Sequence, residues 1–332
     1  MFSGFCSTIF AVNTWPFLEA TETAFQTVSI GGSSIDAVVA GCTTCEEDQC
    51  DGTVGWGGSP DENGHTTLDA LVMEGSTQDM GAVIQLKSVR EAARVAKAVL
   101  DHSYHSILVG ENATNFAIGL GFEQRNLATQ SSINKWQAWR ENACQPNFWR
   151  NMVNSTTRCG PYQPKLSLDD PPNRAWSNKE NHDTIGMIAR DRDGNMAVGT
   201  STNGANHKIA GRASDSAVPG AGAYVENGVG GAVSTGDGDV MMRFSPAFHT
   251  VLLMEGGVGP EDSAKKVIAR IARKYPNFSG AVVAAADNGT FGAACHGFSN
   301  FQYCVRDEKS DRTQLLHVKC TGVVGDGASV EL

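Results

Sequence analysis

His182-Asp183-Thr184-Ile185-Gly186-Met187 opens the second half of the chain, and its central threonine becomes chemically useful only if the bond before it is cut. Inside a chain, Thr184 has a weak hydroxyl, and no Ser/His/Asp arrangement surrounds it. As an N-terminus, its own α-amine, with an ordinary pKa of about 7.7–8.0, could take the proton from its own hydroxyl. One residue would then supply both nucleophile and base. The competing reading is a β-branched residue opening a strand. Ile185–Ala189 and Met196–Thr200, flanking Asp193-Gly194-Asn195, do read as a hairpin.

The motifs on either side decide between the two. Downstream come Gly199-Thr200-Ser201-Thr202-Asn203-Gly204, Gly211-Arg212-Ala213-Ser214-Asp215-Ser216, Pro219-Gly220-Ala221-Gly222-Ala223-Tyr224 and Ser234-Thr235-Gly236-Asp237-Gly238-Asp239. Upstream are Val12-Asn13-Thr14-Trp15-Pro16-Phe17, Val54-Gly55-Trp56-Gly57-Gly58-Ser59-Pro60-Asp61, Thr67-Leu68-Asp69-Ala70 and Cys144-Gln145-Pro146-Asn147-Phe148-Trp149-Arg150. In this order and spacing, from about Val12 to Cys295, the chain resembles the N-terminal-nucleophile hydrolases, specifically the glycosylasparaginases (aspartylglucosaminidases).

The resemblance implies an α+β fold, a four-layer αββα sandwich. It makes residues 12–183 and 184–332 the α and β subunits of one autoprocessed domain. Residues 1–11, lacking a basic n-region, read as the tail of a truncated signal peptide or a degenerate one. The resemblance also implies a role for each matched residue. Asp183 would strain or polarise the bond that Thr184 attacks, and Thr202 would hydrogen-bond the new amine and assist the cut. Arg212 would hold the α-carboxylate of the substrate through its planar guanidinium, and Asp215 the α-ammonium. Thr235 (hydroxyl) and Gly236 (backbone N–H) would form the oxyanion hole. Trp15 would line the pocket, and Thr53 would stand near the amine where relatives have serine. The substrate would be an asparagine carrying N-acetylglucosamine on its side-chain nitrogen, with no cofactor and no metal. Two αβ heterodimers would associate, in a lysosomal or secreted setting. Each of these residues also has an ordinary structural reading: an Asx turn at Asp183, a surface pair for Arg212 and Asp215, a tight turn at Thr235-Gly236.

Departures from the pattern bear on rate. Ser214 stands in place of a glycine and would restrict the clamp loop. Asp237 stands where asparagine or histidine is usual, and when ionised its charge would disfavour the intermediate. L-asparaginase or β-aspartyl (isoaspartyl) peptidase activity is the first alternative, opposed by Asn203 and by the Cys-Gln-Pro-Asn region. An unprocessed protein that only binds glycans or a partner is the second.

Composition sets outer bounds. The chain has 332 residues and a net charge of −10, which argues against nucleic acid or an anionic membrane as primary partner. No apolar run reaches the ~18 residues of a membrane helix. Nine cysteines suggest an oxidising compartment. Cys42, Cys45 and Cys50 superficially match a metal or iron–sulfur spacing, yet no fourth ligand lies nearby, which favours a disulfide. The resemblance implies bridges Cys45–Cys50, Cys144–Cys159 and Cys295–Cys320, leaving Cys6, Cys42 and Cys304 free. His102 and His105 lack zinc context, and Gly228–Gly231 lacks the order of a dinucleotide fingerprint. Four sequons, at Asn112, Asn154, Asn277 and Asn288, support secretion weakly. Further helices are expected at Leu18–Ile30, from Ser33-Ser34, at Ser88–Leu100 and at Ser263–Lys274. Strands are expected at Phe10–Thr14, Leu68–Met73, Ala281–Ala286 and Phe291–Cys295, and a polar loop from Ser155 to Asn181.

Overall fold

The computed structural model describes residues 8–166 and 184–322. Asp183, Cys6, most of the expected 1–11 remnant and the second part of the 155–181 loop lie outside the described residues.

The first half gives β1 (Phe10–Thr14), α1 (Leu18–Ser29), α2 (Ser34–Asp48), β2 (Leu68–Glu74), β3 (Met80–Leu86), α3 (Ala92–His102), β4 (Ile107–Val109), α4 (Gly110–Gly119) and α5 (Gln130–Glu141). A short ribbon of β5 (Met152–Val153) and β6 (Gln163–Pro164) follows, placing a strand inside the expected loop. The second half gives β7 (Ile185–Arg190), β8 (Met196–Thr202), β9 (Ala223–Glu226), β10 (Gly230–Gly236), α6 (Gly238–Met241), α7 (Pro246–Glu255) and α8 (Pro260–Ala272). It closes with β11 (Gly280–Ala286), β12 (Phe291–His296), β13 (Phe301–Asp307) and β14 (Gln314–Val318).

Besides that ribbon, two sheets form among the described residues, one of eight strands ordered β14-β13-β1-β7-β8-β2-β3-β4 and one of four ordered β12-β11-β10-β9. Side-chain alternation then sorts the apolar residues into three cores. On β7, Met187 and Ala189 face a core shared with α1, α2 and α3, while Ile188 faces the other sheet. On β10, Val233 faces the first sheet and Ala232 faces α7 and α8. Helices, sheet, sheet, helices make the αββα sandwich expected from the sequence. A Cβ on Gly186 would run into Val233 and Thr14, so glycine there lets β7 approach β10.

Local chemistry explains the boundaries. Gly31 at φ +97° stops α1, and Ser33 caps α2 by accepting from the Asp36 N–H at 3.2 Å. Helix α3 starts at Ala92, not Ser88, because Ser88 adopts a left-handed φ of 59° that a helix cannot include. The three expected disulfides are present, and Cys42 and Cys304 are free and buried. Among the described residues, no helix is long and apolar enough to cross a membrane.

Candidate active site

Thr184 directly precedes β7, is 5% exposed, and meets only hydroxyl and backbone partners in the described contacts. Thr14, at the end of β1, accepts from Gly186 N at 2.9 Å and donates to the Thr184 carbonyl at 2.7 Å. The Thr184 and Ser216 hydroxyls share a hydrogen bond of 3.1 Å. Ser216 is itself fixed, its carbonyl accepting from Thr200 Oγ1 at 2.6 Å. On β8 the odd and even residues part company: Ser201 turns outward to buried Glu46 at 2.6 Å, while Thr200 and Thr202 face the second sheet. Thr202 accepts from Gly204 N at 2.9 Å and is fully buried.

Across the sandwich, β10 ends in Thr235 and Gly236. Trp15, at φ 65° and wedged edge-on between Phe298 and Phe301, donates its Nε1–H to Thr235 Oγ1 at 3.0 Å. Because that bond occupies a lone pair, the Thr235 hydrogen stays available for another acceptor. Gly236 has φ +125°, and a Cβ there would collide with Ser279 O and Gly280 Cα at 2.5 Å, so no other residue fits.

The charged groups gather on the turn after Gly211. Arg212 gives Nε and Nη2 to Asp239 Oδ2 at 3.2 and 3.0 Å. Asp215 is 4% exposed, and its Oδ2 has no partner among the described residues. Both Arg212 and Asp215 press against Gly238, where a side chain would collide with each of them. Burial pushes the Asp215 carboxyl up to about 7, against the downward pull of Arg212, with Asp239 adding to the rise. Asp237, also buried with an unpartnered Oδ2, is pushed to about 7 by burial and by Asp239, opposed by Arg212. Beside these residues opens a cavity of about 900 Å³ lined by Arg212, Asp237, Asp239 and Arg243, and by Asn147, Trp149 and Arg150 from the chain beyond α5.

Trp15 is therefore joined to Thr235 and Thr184 to Ser216, and Arg212 and Asp215 share one turn that also carries Ser216. Thr53 is linked to this region by backbone: Asn203 N donates to its carbonyl at 2.8 Å, while its hydroxyl donates to Asp51. Ser214 adopts φ −79°, a backbone region open to any residue, so it sits in the loop without strain. Sequence reasoning passed over Ser216 and Thr14 as site residues. Lys208 was missed as well: it is 2% exposed, donates to the Asn203 carbonyl at 2.5 Å, and is pushed down to about 8 by burial.

Comparison with known proteins adds a lineage. The model of a family described as asparaginase matches residues 6–315. A mouse N(4)-(beta-N-acetylglucosaminyl)-L-asparaginase is 46% identical over 315 residues, covering 93% of this chain and 91% of that protein. The rat protein of the same name is 48% identical over the same shares. A probable isoaspartyl peptidase/L-asparaginase 3 of Arabidopsis thaliana is 47% identical over 92% of this chain and 89% of its own.

Proposed function

Because the chain belongs to the asparaginase family, we propose that it hydrolyses a β-aspartyl amide, the bond joining N-acetylglucosamine to the asparagine side chain in glycoasparagines. One observation carries the reading. Consecutive residues of a single turn serve two ends: Ser216 touches the Thr184 hydroxyl, and Asp215 presents an unpartnered carboxyl beside Arg212. A free amino-acid head group held at Arg212 and Asp215 would place a side-chain carbonyl near Thr184, and the 900 Å³ cavity next to the clamp leaves room for sugar.

Activation comes first in this mechanism. The Thr184 hydroxyl attacks the Asp183 carbonyl, and the C–N bond breaks to give an ester and free the Thr184 amine. Water then hydrolyses the ester, restoring the Thr184 hydroxyl and leaving a carboxylate on Asp183. Thr202 assists that step. In turnover, the amine takes the hydroxyl proton and Oγ attacks the substrate carbonyl. The oxyanion rests on the Thr235 hydroxyl and the Gly236 N–H; a missing donor of this kind costs ~10²–10³ in rate. Collapse expels the glycosylamine with the proton, leaving a β-aspartyl ester that water hydrolyses to aspartate. Trp15 orients Thr235. Thr53 acts through the loop backbone it shares with Asn203. Residues to Asp183 and from Thr184 remain one domain as α and β subunits, since β1 lies between β13 and β7. Two such heterodimers pair, and the protein works in the lysosome. Three disulfides support an oxidising compartment.

The Arabidopsis relative favours a second reading, β-aspartyl peptide hydrolysis on the same machinery. Intact mass and N-terminal sequencing test the activation step, with a new terminus at Thr184-Ile185-Gly186 as the expected result. Aspartate release from glycoasparagine should then exceed release from an isoaspartyl dipeptide. The reverse order would favour the second reading, and an uncut, inactive chain would leave only glycan or partner binding.

A further inference from the structure

Behind the clamp lies a defect in the sheet. Strands β2 and β3 pair Leu68 with Leu86, but then Ala70 with Val83, so Asp69 stands opposite both Ile84 and Gln85. The extra residue is a β-bulge, a device that bends a strand and re-aims its side chains. Gln85 takes a left-handed φ of 57° there, a conformation a side chain adopts only where its surroundings over-determine it.

Those surroundings are the clamp loop. Asp69 Oδ1 accepts from Gln85 N at 2.7 Å, which pins the bulge, and Oδ2 accepts from Ser214 N at 2.8 Å. Gln85 Nε2 donates to the Arg212 carbonyl at 2.9 Å and to Thr67 Oγ1 at 2.9 Å. The backbone is thus gripped on both sides of Ala213 by two buried side chains of the bulge, 3% and 5% exposed. Asp69 also offsets the buried charge of Lys208, which borders Gly204 together with Arg212.

We propose that Asp69 and Gln85 are positioning residues of the clamp: the bulge sets the reach of Arg212 and Asp215, and so the affinity for a substrate's amino-acid head group. This rests on the reading of Arg212 and Asp215 given above. Neither bulge residue is assigned a contact with substrate, so their loss should weaken binding more than chemistry. Conversion of the chain at Thr184 does not use the clamp and therefore reports folding.

The test is steady-state kinetics on glycoasparagine for the cut wild type, Asp69→Asn and Gln85→Gly, with L-aspartate as competitive inhibitor. Gln85→Gly keeps the left-handed backbone accessible while deleting the side chain, which separates conformation from hydrogen bonding. The expected result is KM and the aspartate inhibition constant raised at least ~10-fold in both variants, kcat within ~3-fold, and complete cutting. Unchanged KM and inhibition constant in Gln85→Gly would overturn the proposal, whether or not Asp69→Asn folds. So would equal losses of cutting and kcat in the two variants, which would mark the bulge as structural alone. A cut wild type that neither hydrolyses glycoasparagine nor binds L-aspartate would overturn the functional reading, and this proposal with it.

Discussion

At Thr184 the described partners are neutral and matched: the Thr14 hydroxyl both accepts and donates, and the Ser216 hydroxyl meets that of Thr184. At Asp215, the very next residue in the chain to Ser216, a buried carboxyl oxygen has no partner, and Asp237 repeats the arrangement nearby. Neutral hydrogen bonds of ~0.5–1.5 kcal/mol fix direction cheaply and respond little to pH. An unpartnered buried polar group costs ~1–3 kcal/mol until something fills it. On the proposed reading, the nucleophile end is therefore finished without substrate, and the clamp end is completed by it.

Four outcomes would break or sharpen this contrast. The largest is at the finished end, where Thr184→Ala should abolish cutting and lower hydrolysis by ~10⁴ or more, read by intact mass and aspartate release. Next, Asp215→Asn should leave cutting intact but lower kcat/KM roughly 30- to 3,000-fold, by analogy with truncating one partner of a buried charge pair. At neutral pH the same variant should melt no lower than wild type, because it replaces a carboxyl whose ionised form burial disfavours with a neutral group of the same shape. A large drop in its melting temperature would show that Asp215 is structural.

Smaller effects are expected where single neutral hydrogen bonds go. Ser216→Ala and Trp15→Phe should each slow turnover about 3- to 10-fold with KM nearly unchanged, measured on fully cut enzyme. The smallest concerns stability against pH. Burial raises Glu46 to about 8 and Asp215 and Asp237 to about 7, so folding favours their protonated forms. Their contribution is complete below pH ~4, the unfolded value, and is lost as pH rises through 7 to 8. His207, held down to about 4 by burial, acts in the opposite sense between pH 4 and 6.5. His249, lowered by burial, acts in the same sense as His207. Three carboxyls outweigh two imidazoles, so the melting temperature should be a few degrees higher at pH 5 than at pH 7.5. Glu46→Gln, outside the clamp, should flatten part of that slope, and an unchanged slope would place the effect elsewhere.

The sequence was most legible where chemistry is contiguous. Arg212, Asp215, Thr235 and Gly236 sit in short motifs, so their grouping could be read before the fold was known. The αββα layering came through the resemblance, since alternation shows that β7 and β10 are strands but not which faces meet. Strand β10 was not expected, because Gly230 and Gly231 carry no side chains whose alternation would mark a strand. Gly231 instead allows Val198 and Ile188 to pack close. The start of α3 was misplaced because nothing in Ser88 announces a left-handed backbone. Partners such as Thr14 with Thr184, 170 residues apart, or Gln85 with Arg212, 127 apart, arise from strand register and a bulge. Neither leaves a local mark in the chain.

The strand order has one more consequence. β1 is hydrogen-bonded to β13 on one side and β7 on the other, and β8 is bonded to β2, so the segments before and after Thr184 are woven through one sheet. The hydroxyl that steadies the Thr184 carbonyl comes from Thr14, at the end of the first-half strand paired with β7. On the proposed reading, a catalyst exists only after the whole sheet has been assembled, because the cut that creates it needs the finished geometry. Turnover then works as an inspection stamp: a copy that folds wrongly stays mute instead of acting wrongly. The activity of a preparation counts its correctly built molecules.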